Sequence, residues 1–331
     1  MNNLIILFLF IIIIGTILTI SSNNFFSAWL GLEINLISFL PILSNNYNSL
    51  ENESILKYFL IQTIGSSIFL LSTLLNSIYL NNNIFLIINL LIILALLLKI
   101  AASPFHNWLI NLINGTNWLR CFLILTWQKI APLTLCFFCF LKLSYIRIFI
   151  IFSALFGAIG ALNQTSIKKI LAFSSINHLR WIITSFFISK FILIIYFFIY
   201  FLINLNLILI FKTFSIFYLN QIYNLIIIIH KIIIFLVLFS LAGLPPFTGF
   251  LSKWLIIENL FLNNFNFISI ILILSSLITL YFYTQILFSS LLILKINYKF
   301  LINSYFFFWI YFFSLFSIFR LILFLIFKTC S

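Results

Sequence analysis

The sequence predicts an all-α integral membrane protein with about eleven transmembrane helices. Of its 331 residues, 65% are hydrophobic and only 6% are charged, whereas soluble proteins carry about 25% charged residues. Apolar runs of roughly 18 residues or more recur along the chain, and each can cross a hydrocarbon core. Lipid cannot hydrogen-bond a backbone, so the spans must be helices or a closed barrel. The runs are continuous rather than alternating, which selects helices.

The predicted helices span residues 3–20, 25–43, 55–76, 84–113, 118–141, 146–163, 167–189, 191–212, 228–260, 266–290 and 304–327. Two of them, 84–113 and 228–260, would reach about 45 Å and about 50 Å if straight. Proline interrupts each near its middle, at Pro104 in the first and at Pro245 and Pro246 in the second. Because proline removes a backbone donor and clashes with the preceding turn, we expect two broken helices.

The two interruptions resemble each other, since residues 104–109 (PFHNWL) match residues 246–251 (PFTGFL) at an offset of 142. They fall in the fourth and ninth predicted helices, which indicates a repeated five-helix unit. An odd number of helices reverses the entry side of the second copy, so the pattern predicts antiporter-like inverted repeats. The domains would be a first repeat at 1–141, a second at 142–290 and a C-terminal transmembrane helix within 291–331.

The composition also limits the function and the origin of the chain. Its net charge of +13 does not indicate a nucleic-acid partner, because the basic residues form no stripe on a water-facing fold. Neither the spacing of an iron–sulfur site nor a nucleotide-binding loop is present. Cys136 and Cys139 form a C-x-x-C pair, which in an apolar helix is typical of small buried side chains. We expect no cofactor and no metal in this chain.

The residue usage is typical of an AT-rich organelle genome. Phe occurs 45 times but Gly only 8 times and Pro 5 times, and no Arg-rich presequence is present, so we expect synthesis inside the mitochondrion. A single Met stands among abundant Ile. This suggests that ATA codons are written as Ile, in which case Arg residues from AGA codons are open to the same error.

Four charged residues lie where a membrane protein seldom places them. Glu33, Lys99 and Lys129 lie near the middle of predicted spans, and Lys253 follows the second interruption by about two helical turns. A charge at the bilayer centre costs several kcal/mol. Snorkelling does not explain Glu33, Lys99 and Lys129, because a lysine stem is far shorter than the roughly 15 Å to either surface. A proton relay is the functional interpretation, and a structural ion pair is the alternative.

Two histidines are further candidates for the relay. His178 is central in the seventh predicted span, and His106 lies in the first interruption. Each is equally compatible with a hydrogen-bonded histidine packed between helices. Burial disfavours the charged form of a side chain and a nearby opposite charge favours it. Several such groups in line can therefore take up and release protons in sequence.

The motifs around these residues resemble the subunit 2 family of NADH:ubiquinone oxidoreductase, complex I, in its mitochondrially encoded animal form. The resemblance covers essentially the whole chain, in order. Arg180 departs from it, since a small residue is expected before Trp181. The matching segments are 29–35 (WLGLEIN), Lys99 with 103–108 (SPFHNW), 127–132 (WQKIAP), 174–178 (SSINH), and 243–250 (GLPPFTGF) with Lys253 and Trp254.

The resemblance implies a proton-translocating membrane-arm subunit with the inverted repeats of Mrp-type antiporters. It implies that Glu33 and Lys99 are a coupled pair, that Lys129 is the central relay lysine, and that Lys253 is the lysine beside the second broken helix. NADH, FMN, iron–sulfur clusters and ubiquinone would be bound by other subunits. The expected partners are other membrane-arm subunits, protons, water and lipids, with cardiolipin a candidate, in the mitochondrial inner membrane. A stand-alone cation/proton antiporter and a structural membrane scaffold are the alternatives.

Overall fold

The computed structural model describes residues 2–44, 49–78, 82–140, 146–223, 228–245 and 247–292. Regular structure in these ranges is α-helical, apart from an isolated antiparallel bridge between Ser166 and Tyr218. Fourteen helices lie within the described ranges: α1 (Asn2–Ser21), α2 (Phe25–Leu43), α3 (Ser49–Ile78), α4 (Asn82–Ile100), α5 (Asn107–Gly115), α6 (Trp118–Leu125), α7 (Trp127–Phe140), α8 (Ile146–Ile159), α9 (Ile167–Ser185), α10 (Lys190–Thr213), α11 (Leu219–Tyr223), α12 (Ile228–Ala242), α13 (Thr248–Leu262) and α14 (Asn266–Leu292).

Six helical segments of the described ranges are long and apolar enough to cross a membrane. They are Asn3–Ser21, Phe25–Leu43, Glu51–Ile78, Trp118–Cys139, Lys190–Thr213 and Asn266–Ile286. Three shorter apolar helices accompany them, at Ile87–Ile100, Ile146–Ile159 and His230–Ala242. The predicted all-α membrane class is therefore confirmed, whereas the count of eleven helices and the inverted repeats stay predictions. Pro246 and the predicted helix 304–327 lie outside the described residues.

The chain folds as two compact units, Met1–Phe149 and Ile150–Ser331. In the first unit, α4 packs against α3 and α7, and α2 packs against α1, α3 and α7. The approach of α1 to α2 depends on Gly31, where a Cβ atom would lie 2.9 Å from the carbonyl oxygen of Gly15. Small residues at such a crossing let two transmembrane backbones pack closely.

In the second unit, α9 is the central helix. Every residue from Ile170 to Ser185 is buried, and α9 contacts α10, α13 and α14. A helix that is buried on all sides lies in the core rather than against lipid. The polar and charged residues between positions 170 and 185 of α9 therefore face protein.

The first predicted break lies between α4 and α5. After Ile100, Ala101 adopts a left-handed conformation with φ of 64°. The Ala102 N–H donates to the Leu97 carbonyl at 3.0 Å, and the Ala101 N–H donates to the Leu98 carbonyl at 3.2 Å. These are the two hydrogen bonds of a Schellman cap, which satisfy carbonyl groups that a helix end leaves open.

The second predicted break lies between α12 and α13 and ends in a similar cap. Gly243 has φ of 79°, and Leu244 N–H donates to the Phe239 carbonyl at 3.3 Å. The left-handed residues 101 and 243 are separated by 142 positions, the offset at which the surrounding segments match in sequence. The backbone thus ends both helices in the same way at equivalent positions of that alignment.

The predicted helix 118–141 differs from the structure in one respect. Thr126, which is fully buried, interrupts it between α6 and α7 with φ of −119° and ψ of −71°. Its hydroxyl donates to the Phe122 carbonyl at 2.7 Å. Such a bond from a threonine hydroxyl to an earlier carbonyl bends helices. Lys129 therefore lies in the first turn of α7 rather than in the middle of one straight helix.

Candidate functional site

Two of the predicted relay lysines line one polar cavity in the first unit. Lys99 is 5% exposed and Lys129 is 2% exposed, and both line the same cavity because α4 packs against α7. The space in the cavity is about 20 Å³, enough for one water molecule, which needs roughly 10–15 Å³. The other polar side chains of its lining belong to Asn35, Tyr58, Gln62 and Gln128.

The end of α4 places Lys99 at this cavity. Lys99 lies in the last turn of α4, where the negative end of the helix dipole favours a cation. Its side chain runs across Gly65 of α3, at which a Cβ would lie 3.1 Å from Lys99 Cγ. Its carbonyl accepts a hydrogen bond from Gln62 Nε2 at 3.3 Å. From beyond the break, Trp108 Nε1 donates to the Leu98 carbonyl at 3.2 Å.

Glu33 lies near Lys99 but not in direct contact with it. The residue is half-buried on α2, and its carboxylate is within electrostatic range of the Lys99 ammonium. No ion pair within 4.0 Å joins the two among the described residues. The two charges therefore interact through space rather than through a direct ion pair.

A chain of hydrogen bonds that the sequence did not reveal borders the cavity. Gln128 Nε2 donates to Asn35 Oδ1 at 3.1 Å, and Tyr58 OH donates to Gln128 Oε1 at 3.4 Å. Asn35 and Gln128 both lie in the motifs that carry the family resemblance, beside Glu33 and Lys129. Tyr58 and Gln62 are polar residues four positions apart inside an apolar span, and that spacing on one helix face was the available signal.

In the second unit, Lys253 binds the freed carbonyl groups of the broken helix. Its ammonium donates to the carbonyl of Ala242 at 2.6 Å and to that of Leu241 at 3.2 Å. These are the last residues of α12, so the cation stabilises both open acceptors and the negative end of that helix dipole. Lys253 is 6% exposed and lies 6.0 Å from the centre of the Trp181 ring.

His178 belongs to a buried aromatic group between α9 and α10. Its Nδ1 shares a hydrogen bond of 2.7 Å with the hydroxyl of Tyr196, and its ring lies 5.1 Å from the ring of Tyr200. His178 is 6% exposed, and both tyrosines are 2% exposed. The histidine ring nitrogen and the phenol hydroxyl can each donate or accept this hydrogen bond, depending on the histidine tautomer. The tyrosines were not among the predicted site residues.

Arg180 lies on the same helix and is fully buried, with an exposed fraction of 0%. Its three side-chain nitrogens find no hydrogen-bond partner among the described residues. The guanidinium carbon lies 5.4 Å from the centre of the neighbouring Trp181 ring. A buried cation without hydrogen bonds is strongly unfavourable, and the family resemblance also departs at this position.

The remaining predicted residues lie at the helix breaks. His106 Nδ1 hydrogen-bonds to the Pro104 carbonyl at 3.1 Å, which holds the ring against its own turn. Pro104 and Pro245 are exposed residues of the two interruptions. Across the described residues, no group of three or more His, Cys, Asp or Glu side chains could hold a metal ion.

Comparison with known proteins places this chain in one family. The model of the family described as NADH:quinone oxidoreductase/Mrp antiporter, TM, matches residues 22–279. The chain belongs to this family. NADH-ubiquinone oxidoreductase chain 2 of Anopheles gambiae is 46% identical over 299 residues, which cover 88% of this chain and 86% of that protein. The protein of the same name from Didelphis virginiana is 36% identical over 297 residues, covering 86% and 84%.

Solved structures show the same fold at lower identity. A chain of respiratory complex I from Thermus thermophilus has a TM-score of 0.80 at 19% identity, with 89% of this chain and 72% of that chain covered. A chain of the Mrp complex from Dietzia has a TM-score of 0.75 at 15% identity, covering 90% and 62%. This member of the family is thus a multi-pass membrane protein with an antiporter-like fold, and the predicted family is confirmed.

Proposed function

We propose that the chain is a proton-translocating subunit of the membrane arm of respiratory NADH:ubiquinone oxidoreductase, located in the mitochondrial inner membrane. The observation that carries this proposal is the cavity shared by Lys99 and Lys129 inside the membrane-spanning helices of the first unit. Two titratable cations at one water-sized cavity, with a carboxylate in electrostatic range, form the minimal elements of a proton relay.

The step that these residues can perform is a transfer between the two lysines. A proton leaves the ammonium of one lysine, breaking an N–H bond, and forms an N–H bond on the neutral amine of the other. A water molecule in the cavity would bridge the two nitrogens. The net charge of the cavity is unchanged, so no uncompensated charge is created in the low-dielectric interior. Glu33 biases the equilibrium, because its negative charge favours the state with the proton on the nearer lysine.

The second unit would contain a further group of the relay. Lys253 is buried and lies 6.0 Å from the centre of the Trp181 ring. His178, which shares a hydrogen bond with Tyr196, is also buried and lies on the same helix as Trp181. Because Lys253 is held by the carbonyl groups of α12, a movement at this break would change the stability of its protonated form. Translocation of one proton against 100 mV requires about 2.3 kcal/mol, comparable to the strength of a hydrogen bond to a charged group.

The finer organisation of the chain is part of this proposal. We retain two inverted five-helix repeats at 1–141 and 142–290, a C-terminal transmembrane helix within 291–331, and about eleven helices. The equivalent caps at Ala101 and Gly243 support the repeat. The chain would contact other membrane-arm subunits and lipids such as cardiolipin. NADH, FMN, iron–sulfur clusters and ubiquinone would be bound elsewhere in the complex.

Replacement of Lys129 by alanine in the assembled complex tests the proposal. We expect NADH-driven proton pumping to fall at least about tenfold, in the range of a lost acid–base group, while the amount of complex on a native gel changes little. Lys57→Ala is the matched control, since Lys57 is a half-exposed lysine that forms an ion pair with Glu53 one helical turn earlier. Equal loss of assembled complex and of pumping by Lys129→Ala would instead support a structural scaffold.

A stand-alone cation/proton antiporter is the second candidate, because the family also includes Mrp antiporter subunits. The isolated chain in liposomes distinguishes the two functions. We expect no exchange of sodium or potassium for protons by the chain alone. Exchange that disappears in the Lys129→Ala variant would replace the proposed function with antiport.

A further inference from the structure

The hydrogen-bond chain Tyr58–Gln128–Asn35 joins three helices at the lysine cavity. Tyr58 belongs to α3, Gln128 to α7 and Asn35 to α2. Tyr58 and Asn35 are each 3% exposed. All three side chains line the cavity together with Lys99 and Lys129. This hydrogen-bond chain therefore links the helix that carries Glu33 with the helix that carries Lys129, at the cavity that both lysines line.

The link is important because the backbone of α7 is interrupted immediately before it. Thr126 departs from helical geometry, and the Lys129 N–H donates to the Thr126 carbonyl at 3.2 Å, three residues back rather than four. The regular hydrogen-bond ladder of α6 therefore does not fix the direction of the first turn of α7. Gln128 and Lys129 both lie in that turn, so a side-chain contact at Gln128 acts on the same turn that carries Lys129.

The far end of the link, Tyr58, packs against two aromatic side chains. The ring of Tyr58 lies 5.5 Å from Phe39 of α2 and 5.9 Å from Trp108 of α5, both distances typical of favourable aromatic pairs. Its hydroxyl can therefore reach Gln128 with little loss of conformational entropy. The hydrogen-bond chain is also preserved if the side-chain amides of Asn35 and Gln128 are both rotated by 180°, because a tyrosine hydroxyl can accept as well as donate. The contact is thus a property of the positions rather than of one amide orientation.

We propose that Gln128 is a positioning residue for proton transfer: through Asn35 and Tyr58 it fixes the first turn of α7 so that Lys129 faces Lys99 across the cavity. The inference rests on the proposed proton-translocating function. Gln128 itself exchanges no proton, since an amide does not titrate in this range. Its role is geometric, and misplacement of a reacting group by about 1 Å can lower a rate by roughly 100-fold.

Three variants in the assembled complex test this role: Gln128→Leu, Gln128→Asn, and the exchange Asn35→Gln with Gln128→Asn. The first removes both hydrogen bonds, and the second shortens the side chain so that the contacts are lost. The exchange restores the total reach between α2 and α7. Protons pumped per NADH oxidised are measured, together with the amount of assembled complex. Gln285→Leu is the matched control, because Gln285 is exposed on α14.

We expect Gln128→Leu and Gln128→Asn each to lower the proton yield about tenfold or more at nearly normal assembly, and the exchange to recover at least about a third of it. A rescue of yield by the exchange is not expected of a residue that only stabilises the fold. The inference is overturned if Gln128→Leu pumps normally, if the exchange is no better than Gln128→Asn, or if the amount of assembled complex falls while the protons pumped per NADH stay unchanged. If both the Gln128 variants and Lys129→Ala pump normally, the proposed function fails. If the Gln128 variants pump normally but Lys129→Ala does not, only this inference fails.

Discussion

The Lys253 ammonium lies 2.6 Å from the carbonyl oxygen of Ala242, the last residue of α12, although Lys253 itself belongs to α13. The lysine thus spans the break and binds the end of the helix that the break creates. Lys99 also lies at the C-terminal end of a broken helix, because it belongs to the last turn of α4. In both units a cation is placed at the negative end of an interrupted helix.

Gly243, which directly follows α12, leaves room for the Lys253 side chain at this break. Its φ of 79° is unfavourable for other residues, and a Cβ would lie 2.8 Å from Lys253 Nζ. We therefore expect Gly243→Ala to destabilise the chain by about 1–2 kcal/mol and to displace the lysine, so that pumping falls more than assembly. The thermal transition of the purified complex and NADH-driven proton uptake are the measurements.

Ala101 provides the matched control for this substitution, because it occupies the equivalent left-handed position with φ of 64°. Ala101→Gly relieves the strain of a side chain in that conformation, and we expect it to raise stability by about 1 kcal/mol after the entropy cost of glycine. Pumping should remain normal. Destabilisation by both substitutions would contradict the proposed equivalence of the two helix ends.

The breaks could be predicted because their causes are local. Two spans exceed the thickness of a bilayer, and Pro104 and Pro245 mark the interruptions. The division at Thr126 could not, because threonine has no strong preference for ending a helix there and the site is decided by packing of a fully buried residue. Likewise, the burial of Lys99 and Lys129 followed from their positions in apolar runs. Their shared cavity depends on contacts between α4 and α7 and between residues such as Asn35 and Gln128, which lie far apart in the chain.

Glu33 lies close enough to influence Lys99 but forms no ion pair with it among the described residues. We expect Glu33→Gln to lower proton pumping sharply, because it removes the negative charge that favours a proton on Lys99. Glu33→Asp should retain part of the pumping, since the charge persists while the side chain is one methylene shorter. Proton uptake by vesicles containing the assembled complex measures both.

Glu53→Gln is the control for the Glu33 substitutions. Glu53 makes an exposed pair with Lys57 one helical turn away, and such pairs contribute little, so pumping should remain normal. If Glu33→Gln pumps as well as Glu53→Gln, the carboxylate does not set the proton equilibrium of Lys99. The relay would then begin at the lysine cavity itself.

The buried arginine at position 180 leads to a prediction about the residue that the natural protein carries there. A fully buried guanidinium without a described hydrogen bond costs several kcal/mol, a large part of the 5–15 kcal/mol that stabilises a typical fold. The chain has one Met, which indicates that some codons have another meaning in the organelle. We therefore expect a small uncharged residue at position 180 of the natural protein.

Peptide mass spectrometry of the native complex decides this. Trypsin should then leave residues 170–190 as one peptide, because Lys169 and Lys190 flank a segment without a further cleavage site if residue 180 is not Arg. Arg120 is the internal control: its Nη1 donates to the Glu51 carboxylate at 2.8 Å, so its charge is compensated and we expect cleavage after it. Cleavage after residue 180 would contradict the prediction. Arg180 would then need water or a group from another subunit as its hydrogen-bond partner, and the interior of the second unit would hold a permanent positive charge beside Lys253.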